Sequence, residues 1–268
     1  MVTNSDGLYA KARTLFEDSN NNSYFVLLSR TNHAYSRIEN AFNNPFKILL
    51  LTGVPGTGKS YVLKRFYDDH IDRYTMFLYP NATFNSERLF EIYEKIFGAR
   101  PVAKDLESLL VAYRASAAKP IYILLDEAQL YGEDRLEWIR MLSNEGLFRF
   151  VIVVHRVSHE DILAKEHFKT RTFENIEFTN VDLDEVKRFV ETKLLLAELS
   201  DFYDKFKRSS FERVYRITRG NLRDLNRLLH RMFDLLDEME RTKPEKLPKW
   251  FNNRIIEMAA LELGLLDG

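Results

Sequence analysis

The chain has no cysteine, which excludes disulfides and thiolate metal sites and fits a reducing compartment. It has no excess of one charge either. The 39 Lys and Arg face 40 Asp and Glu for a formal net charge of −1, so any nucleic-acid surface has to be local. No stretch approaches the roughly 18 consecutive apolar residues of a membrane span. Residues 1–22 are polar and lack the apolar core of a secretory signal. A cytoplasmic protein is the expectation. What remains is the composition of a soluble globule, 45% hydrophobic and 29% charged. Its 268 residues make one large domain or two small ones, enough to bury a sizeable core.

Against this plain background one motif stands out. Gly53-Val54-Pro55-Gly56-Thr57-Gly58-Lys59-Ser60 fits the phosphate-loop pattern G-x-x-x-x-G-K-[ST] at every fixed position. The apolar run 48–51 before it suits a buried parallel strand. Tyr61, Val62, Leu63, Phe66 and Tyr67 after it space out as one helical face. Glycines let backbone N–H groups turn inward around phosphates, and the N-terminus of the following helix adds positive dipole. Lys59 is expected to be exposed until it meets the β- and γ-phosphates, and the Ser60 hydroxyl to ligate Mg²⁺. The cofactors implied are ATP and Mg²⁺, with Tyr61 counted among the residues lining the nucleotide. The bland alternative is a tight Gly-rich turn.

A second motif strengthens the first. Residues 121–125 are an apolar strand that ends in Asp126 and Glu127. Asp126 would hold Mg²⁺, usually through water, and Glu127 would polarise the attacking water. Strands often end in a surface acid, so alone this pair says little. Some 70 residues beyond a phosphate loop, it favours hydrolysis over binding alone.

Short apolar runs at 48–51, 75–78, 121–125, 150–154 and 176–178 alternate with helical periodicity through about Asp182, which predicts a parallel five-stranded α/β sheet between helices. From Leu183 onward the pattern is helical only. The expected organisation is a helical lead-in over 1–39, an α/β nucleotide-binding core over 40–182 and an all-α lid with a C-terminal helix over 183–268. With the phosphate loop and the acid pair, the chain resembles the AAA+ class of P-loop NTPases.

Within that class the chain, from about Tyr24 to Asp237, resembles the ExeA/GspA-type ATPases of general secretion and the related ATPases of MSHA-type pilus biogenesis. Four stretches carry the match: Tyr24-Phe25-Val26-Leu27-Leu28-Ser29-Arg30 with His33-Ala34, Asp126-Glu127-Ala128-Gln129, Arg140-Met141-Leu142-Ser143-Asn144, and Arg219-Gly220-Asn221-Leu222-Arg223-Asp224-Leu225-Asn226. The resemblance implies an ATPase that assembles into a homo-oligomer with ATP and drives or gates a secretion, type IV pilus-like or DNA-uptake machine. Its partner would be a membrane-machinery protein. Where the family carries glycine–glutamine–proline–glutamate–leucine after the fourth strand, this chain has His155-Arg156-Val157-Ser158-His159. His155 becomes the nearest sensor 1 candidate, contacting the γ-phosphate or capping the following helix. Larger family members add a membrane segment and a peptidoglycan-binding portion. An ATPase-only version, peripheral at the inner membrane only through a partner, is therefore expected.

The class implies two further arginines. Arg223 stands where sensor 2 reaches the γ-phosphate, the alternative being a surface arginine paired with Asp224. Arg171 stands where an arginine finger acts in trans on a neighbouring subunit, the alternative being a solvated loop residue. From Lys205 to Arg231 nine basic residues face two acids, Glu212 and Asp224. That local excess reads as a subunit interface, a solvated helix face or a DNA footprint, in which case the chain would be a transposition regulator similar to the TniB/MuB group. A nucleotide-gated interaction module with little turnover is the third reading.

Overall fold

The computed structural model describes residues 7–17, 26, 28–102, 105–116, 119–155 and 172–266. The strands are β1 (Ile48–Gly53), β2 (Met76–Tyr79), β3 (Ile121–Leu125), β4 (Phe148–His155) and β5 (Thr172–Phe178). The helices are α1 (Leu8–Leu15), α2 (Ser29–Phe42), α3 (Lys59–His70), α4 (Ser86–Phe97), α5 (Leu106–Ser116) and α6 (Glu133–Asn144). They continue with α7 (Leu183–Leu196), α8 (Ser200–Asp204), α9 (Arg208–Thr218), α10 (Leu222–Thr242) and α11 (Asn253–Glu262). Two compact units result, one of residues 33–54 and 59–178, the other of 1–32, 55–58 and 179–268.

The first unit is an α/β sandwich. Its five strands run in the order β2-β3-β4-β1-β5, every neighbouring pair parallel. Every residue of β1 and β3 is buried, as expected of strands covered on both faces. Alternate side chains divide between two cores. Ile48, Leu50, Ile123, Leu125, Phe150 and Ile152 join Leu89, Ile92, Tyr113 and Ile139 from α4, α5 and α6. Leu49, Leu51, Leu124, Val151 and Val153 join Ile38, Phe42, Val62, Leu63 and Phe66 from α2 and α3. The first core is closed by a buried hydrogen bond from the Tyr113 hydroxyl to the Leu89 carbonyl, 2.6 Å. Asn85 caps α4 by accepting from Arg88 N–H at 3.1 Å, and Gly98 ends it at φ 71°.

The second unit is helical, and one core of Phe16, Val190, Leu194, Leu229, Phe233 and Ile256, among others, joins α1 to α7–α11. Helix α7 starts in a capping box. The Asp182 carboxylate accepts from the N–H groups of Asp184 and Glu185, while Glu185 reaches back to Asp182 N–H. Those acids also anchor Arg30, whose Nε lies 2.9 Å from Glu185 and whose Nη2 lies 3.2 Å from Asp182. Between α9 and α10 the backbone turns through Arg219 (φ 51°) and Gly220 (φ 73°). A Cβ at Gly220 would sit 1.8 Å from the Val181 carbonyl, so this corner requires glycine. Among the described residues no helix is long and apolar enough to cross a membrane.

Candidate nucleotide site

In the sandwich unit the carboxyl ends of three neighbouring parallel strands converge, the usual place for a ligand in an open α/β sheet. β1 ends in Gly53, β4 beside it in His155, and β3 runs out into Asp126 and Glu127. Gly53 adopts φ 152°, and a Cβ there would lie 2.3 Å from the Phe178 carbonyl on β5, so the strand turns into the loop only with glycine at this point. Helix α3 begins at Lys59, and its first N–H groups supply the anion-attracting end of the helix.

Lys59 corrects one expectation. It is 5% exposed rather than open to solvent, because its Nζ turns back to donate to the carbonyls of Gly53 (2.8 Å) and Val54 (2.9 Å). An ammonium surrounded by loop backbone needs acceptors, and these two carbonyls provide them. Ser60 is exposed, and its hydroxyl lies near enough to the Asp126 carboxylate to favour the ionised form. Burial raises the Asp126 pKa, against the lowering effects of the Ser60 hydroxyl and the Glu127 N–H (2.9 Å). Two hard oxygen donors side by side suit Mg²⁺, which favours oxygen and keeps several of its waters. Tyr61, the third residue of α3, is half-buried, and burial pushes its phenol up to about 12.

Glu127 takes the left-handed conformation, φ 53° and ψ 38°, at the start of a short 3-10 turn over Ala128–Leu130. For a residue other than glycine this costs on the order of 1 kcal/mol. The kink sends the two adjacent carboxylates apart, Asp126 to Ser60 and Glu127 toward β4. There the Glu127 Oε2 lies 3.1 Å from His155 Nε2 and accepts a hydrogen bond from Gln129 Nε2. His155 therefore touches the other acid, one of several contacts that strand-end position allows.

Of the remaining loop residues, 55–58 cluster with the helical unit. Asn221 Nδ2 donates to the Pro55 carbonyl at 2.7 Å, and the N–H groups of Leu222 and Arg223 donate to the Gly56 carbonyl at 3.1 and 3.3 Å. Asn221 Oδ1 accepts from the N–H groups of Arg223 and Asp224 and so caps α10 as well. A Cβ at Gly56 (φ 83°) would meet that oxygen at 2.2 Å. The Arg223 side chain is exposed. Gly58 (φ 90°) leaves its Cα facing the methyls of Leu222 and Thr31, and Thr57 is buried. Arg171 lies outside the described residues, as do Tyr24, Phe25, Leu27 and the stretch 156–159. Asn221 and Gln129 carry no role in the sequence motifs above. For Asn221 a signal existed, since asparagine directly before a helical run is a preferred cap.

Four of the nine cations in the basic stretch are paired with acids. Arg208 pairs with Glu212, Arg213 with Glu257, Arg227 with Asp224, and Arg231 with both Asp234 and Glu262. Lys205 lies over the rings of Tyr9, Phe202 and Phe251. Arg216, Arg219 and Arg223 are exposed. The Arg140–Asn144 segment lies in α6. Ser143 is buried and donates to the Arg140 carbonyl at 2.7 Å, and Asn144 accepts from Lys47 at 3.2 Å.

Residues 45–163 match the family model described as AAA domain. No curated protein sequence matches the chain. Among solved structures the chain is similar to Cdc6p from Pyrobaculum aerophilum, with a TM-score of 0.64 and 14% identity over 93% of this chain and 70% of that one. It is also similar to the Aeropyrum pernix Orc1 protein in complex with DNA, with a TM-score of 0.57 and 17% identity over 94% and 69%. The Aeropyrum pernix Orc2 protein, in ADPNP–ADP complexes, has a TM-score of 0.57 and 14% identity over 94% and 72%. At such identities the likeness is one of fold: the chain has the α/β fold, with its five-stranded parallel sheet, that these AAA+ structures share, and its residues 45–163 match the AAA domain family.

Proposed function

We propose that the protein binds ATP with Mg²⁺ and hydrolyses it, and that nucleotide state governs its assembly with copies of itself. The observation that carries this reading is the Ser60 hydroxyl beside the Asp126 carboxylate at the start of α3, with the Glu127 carboxylate one residue away and turned in another direction. The backbone of 53–58 and the start of α3 bind phosphates. Lys59 exchanges its two carbonyl partners for phosphate oxygens. Ser60 and Asp126 would hold Mg²⁺, which when bound neutralises charge on the phosphate oxygens. Glu127 accepts a proton from the attacking water. Arg223 toward the phosphates in cis and Arg171 in trans complete the assignment as proposals from sequence. The division into a lead-in over 1–39, a core over 40–182 and a lid over 183–268 remains part of that reading.

For the machine served, the Arg140–Asn144 and Asp126–Gln129 resemblances support secretion or pilus assembly through a membrane partner. A specific observation favours a second reading: the similar Orc1 protein was solved in complex with DNA, and Arg216 and Arg219 offer exposed cations here. One experiment separates them. ATP turnover and particle mass are measured with and without duplex DNA across a salt titration, for wild type and Glu127→Gln. The ATPase reading expects turnover in wild type, loss of about 100-fold or more in Glu127→Gln with ATP binding kept, and a larger particle with ATP. Turnover unchanged by Glu127→Gln would refute it. DNA binding that survives physiological salt and stimulates turnover selects the DNA reading over secretion.

A further inference from the structure

The geometry points to Gln129 as the positioning residue of the site, working with His155 to fix one oxygen of Glu127 so that the other is aimed at water. The inference rests on the reading of Glu127 as the base. Glu127 Oε2 is met from two elements, by Gln129 from the 3-10 turn and by His155 from the end of β4. An ionised carboxylate only accepts hydrogen bonds, so the side-chain atoms facing it have to be donors. For Gln129 that atom is the amide nitrogen, and for His155 it is Nε2 carrying the ring proton. The opposite atoms, Gln129 Oε1 and His155 Nδ1, are buried with no hydrogen-bond partner among the described residues. Burying those acceptors is unfavourable, and the arrangement exchanges that cost for two donors on one oxygen.

The need for such holders follows from the backbone. Glu127 sits alone in a left-handed kink, and its side chain has several single bonds over which to swing. Left free, the carboxylate would spend its time in many rotamers, and the base would be in line with the water for only a fraction of it. Anchoring Oε2 from two directions removes that freedom and leaves Oε1 as the oxygen that takes the proton. Gln129 reaches Glu127 only because Ala128, buried and small, lets the chain close a 3-10 turn directly behind the kink. The sequence Asp126-Glu127-Ala128-Gln129 is then one device: metal ligand, base, pivot and holder.

The test is steady-state ATP turnover with parallel ATP-binding measurements on the full chain. The variants are Gln129→Ala, the near-isosteric Gln129→Glu, His155→Ala and the double Gln129→Ala/His155→Ala, with Glu127→Gln for reference. Expected are a fall in kcat of about ten-fold for either single alanine and about 100-fold for the pair, the scale of loss when a reacting group is misplaced by about 1 Å. KM and ATP affinity stay within about two-fold of wild type, since the contacts of Gln129 and His155 described above are to the base. Gln129→Glu, which keeps shape but has no donor, falls at least as far as Gln129→Ala. It decides the matter if the alanine variant does not fold. A wild-type kcat in both Gln129 variants, or a risen KM with kcat unchanged, overturns the inference while a dead Glu127→Gln leaves the base in place. Undiminished turnover in Glu127→Gln instead removes the base itself.

Discussion

Substituting Lys59 by alanine should cost both nucleotide binding and stability, and the second loss is the one that tests the structure. In the folded chain the ammonium is 5% exposed and donates to the carbonyls of Gly53 and Val54. Hydrogen bonds involving a charged group contribute about 1.5–3 kcal/mol each. Removing the lysine also removes the cost of burying its charge, so the net loss should be about 2–4 kcal/mol rather than the sum of the two bonds. In a chain of this size that corresponds to a fall in Tm of roughly 5–15 °C. The assay is a thermal melt without nucleotide, paired with equilibrium binding of a fluorescent ATP analogue. Wild type should gain Tm when ATP is added, by mass action, and Lys59→Ala should gain almost none. A nucleotide-free Lys59→Ala that melts within about 1 °C of wild type would refute the argument that the lysine braces the loop. Unchanged analogue affinity in a folded variant would refute the phosphate-loop assignment.

Two further outcomes are expected. Asp126→Asn should melt higher than wild type near neutral pH while losing Mg²⁺-dependent turnover. Because burial raises the Asp126 pKa above its unfolded value of 3.8, the ionised group costs stability at every pH above the raised value. That cost shrinks as pH falls through the window between the two pKa values and is gone below 3.8, so the advantage of asparagine should vanish in melts run at acid pH. Equal melting of the two proteins at neutral pH would contradict this. Gly53→Ala should fail to give a stable sandwich unit, since its Cβ would lie 2.3 Å from the Phe178 carbonyl at φ 152°. Overlap of that kind, added to backbone strain, costs at least about 3 kcal/mol, and wild-type denaturant stability in Gly53→Ala would count against the described path of β1.

Much of this protein was legible in the order of its residues, and the reason is periodicity. The runs at 48–51 and 121–125 are apolar without interruption because parallel central strands are covered on both faces, and β1 and β3 occupy those places. Strands β4 and β5 extend further toward their N-termini than the apolar runs at 150–154 and 176–178 suggest. Edge and flanking positions there carry polar residues such as Arg149 and Glu174, which bond to Tyr122 and Arg37 instead of packing in a core. The phosphate-loop and acid-pair motifs stand out in the sequence as well, since the chemistry proposed for them requires particular residue types in an unbroken stretch.

Three-dimensional contact decided the rest, because it joins residues far apart in the chain. No local pattern says that Lys59 folds back onto carbonyls five and six residues earlier and is buried there. The nine basic residues of 205–231 looked like one patch when only local neighbours were counted. The fold brings Glu257 and Glu262 from α11 to Arg213 and Arg231, and leaves Arg216, Arg219 and Arg223 as exposed cations. His155 could be placed at a strand end from the sequence, but which group it meets depended on the sheet order, which sets β4 beside β3. Sequence determined which groups exist and which elements carry them, since those follow from residue type and spacing. The parallel sheet and the left-handed kink at Glu127 decided which groups meet, since hydrogen bonds depend on distances that spacing along a chain does not contain.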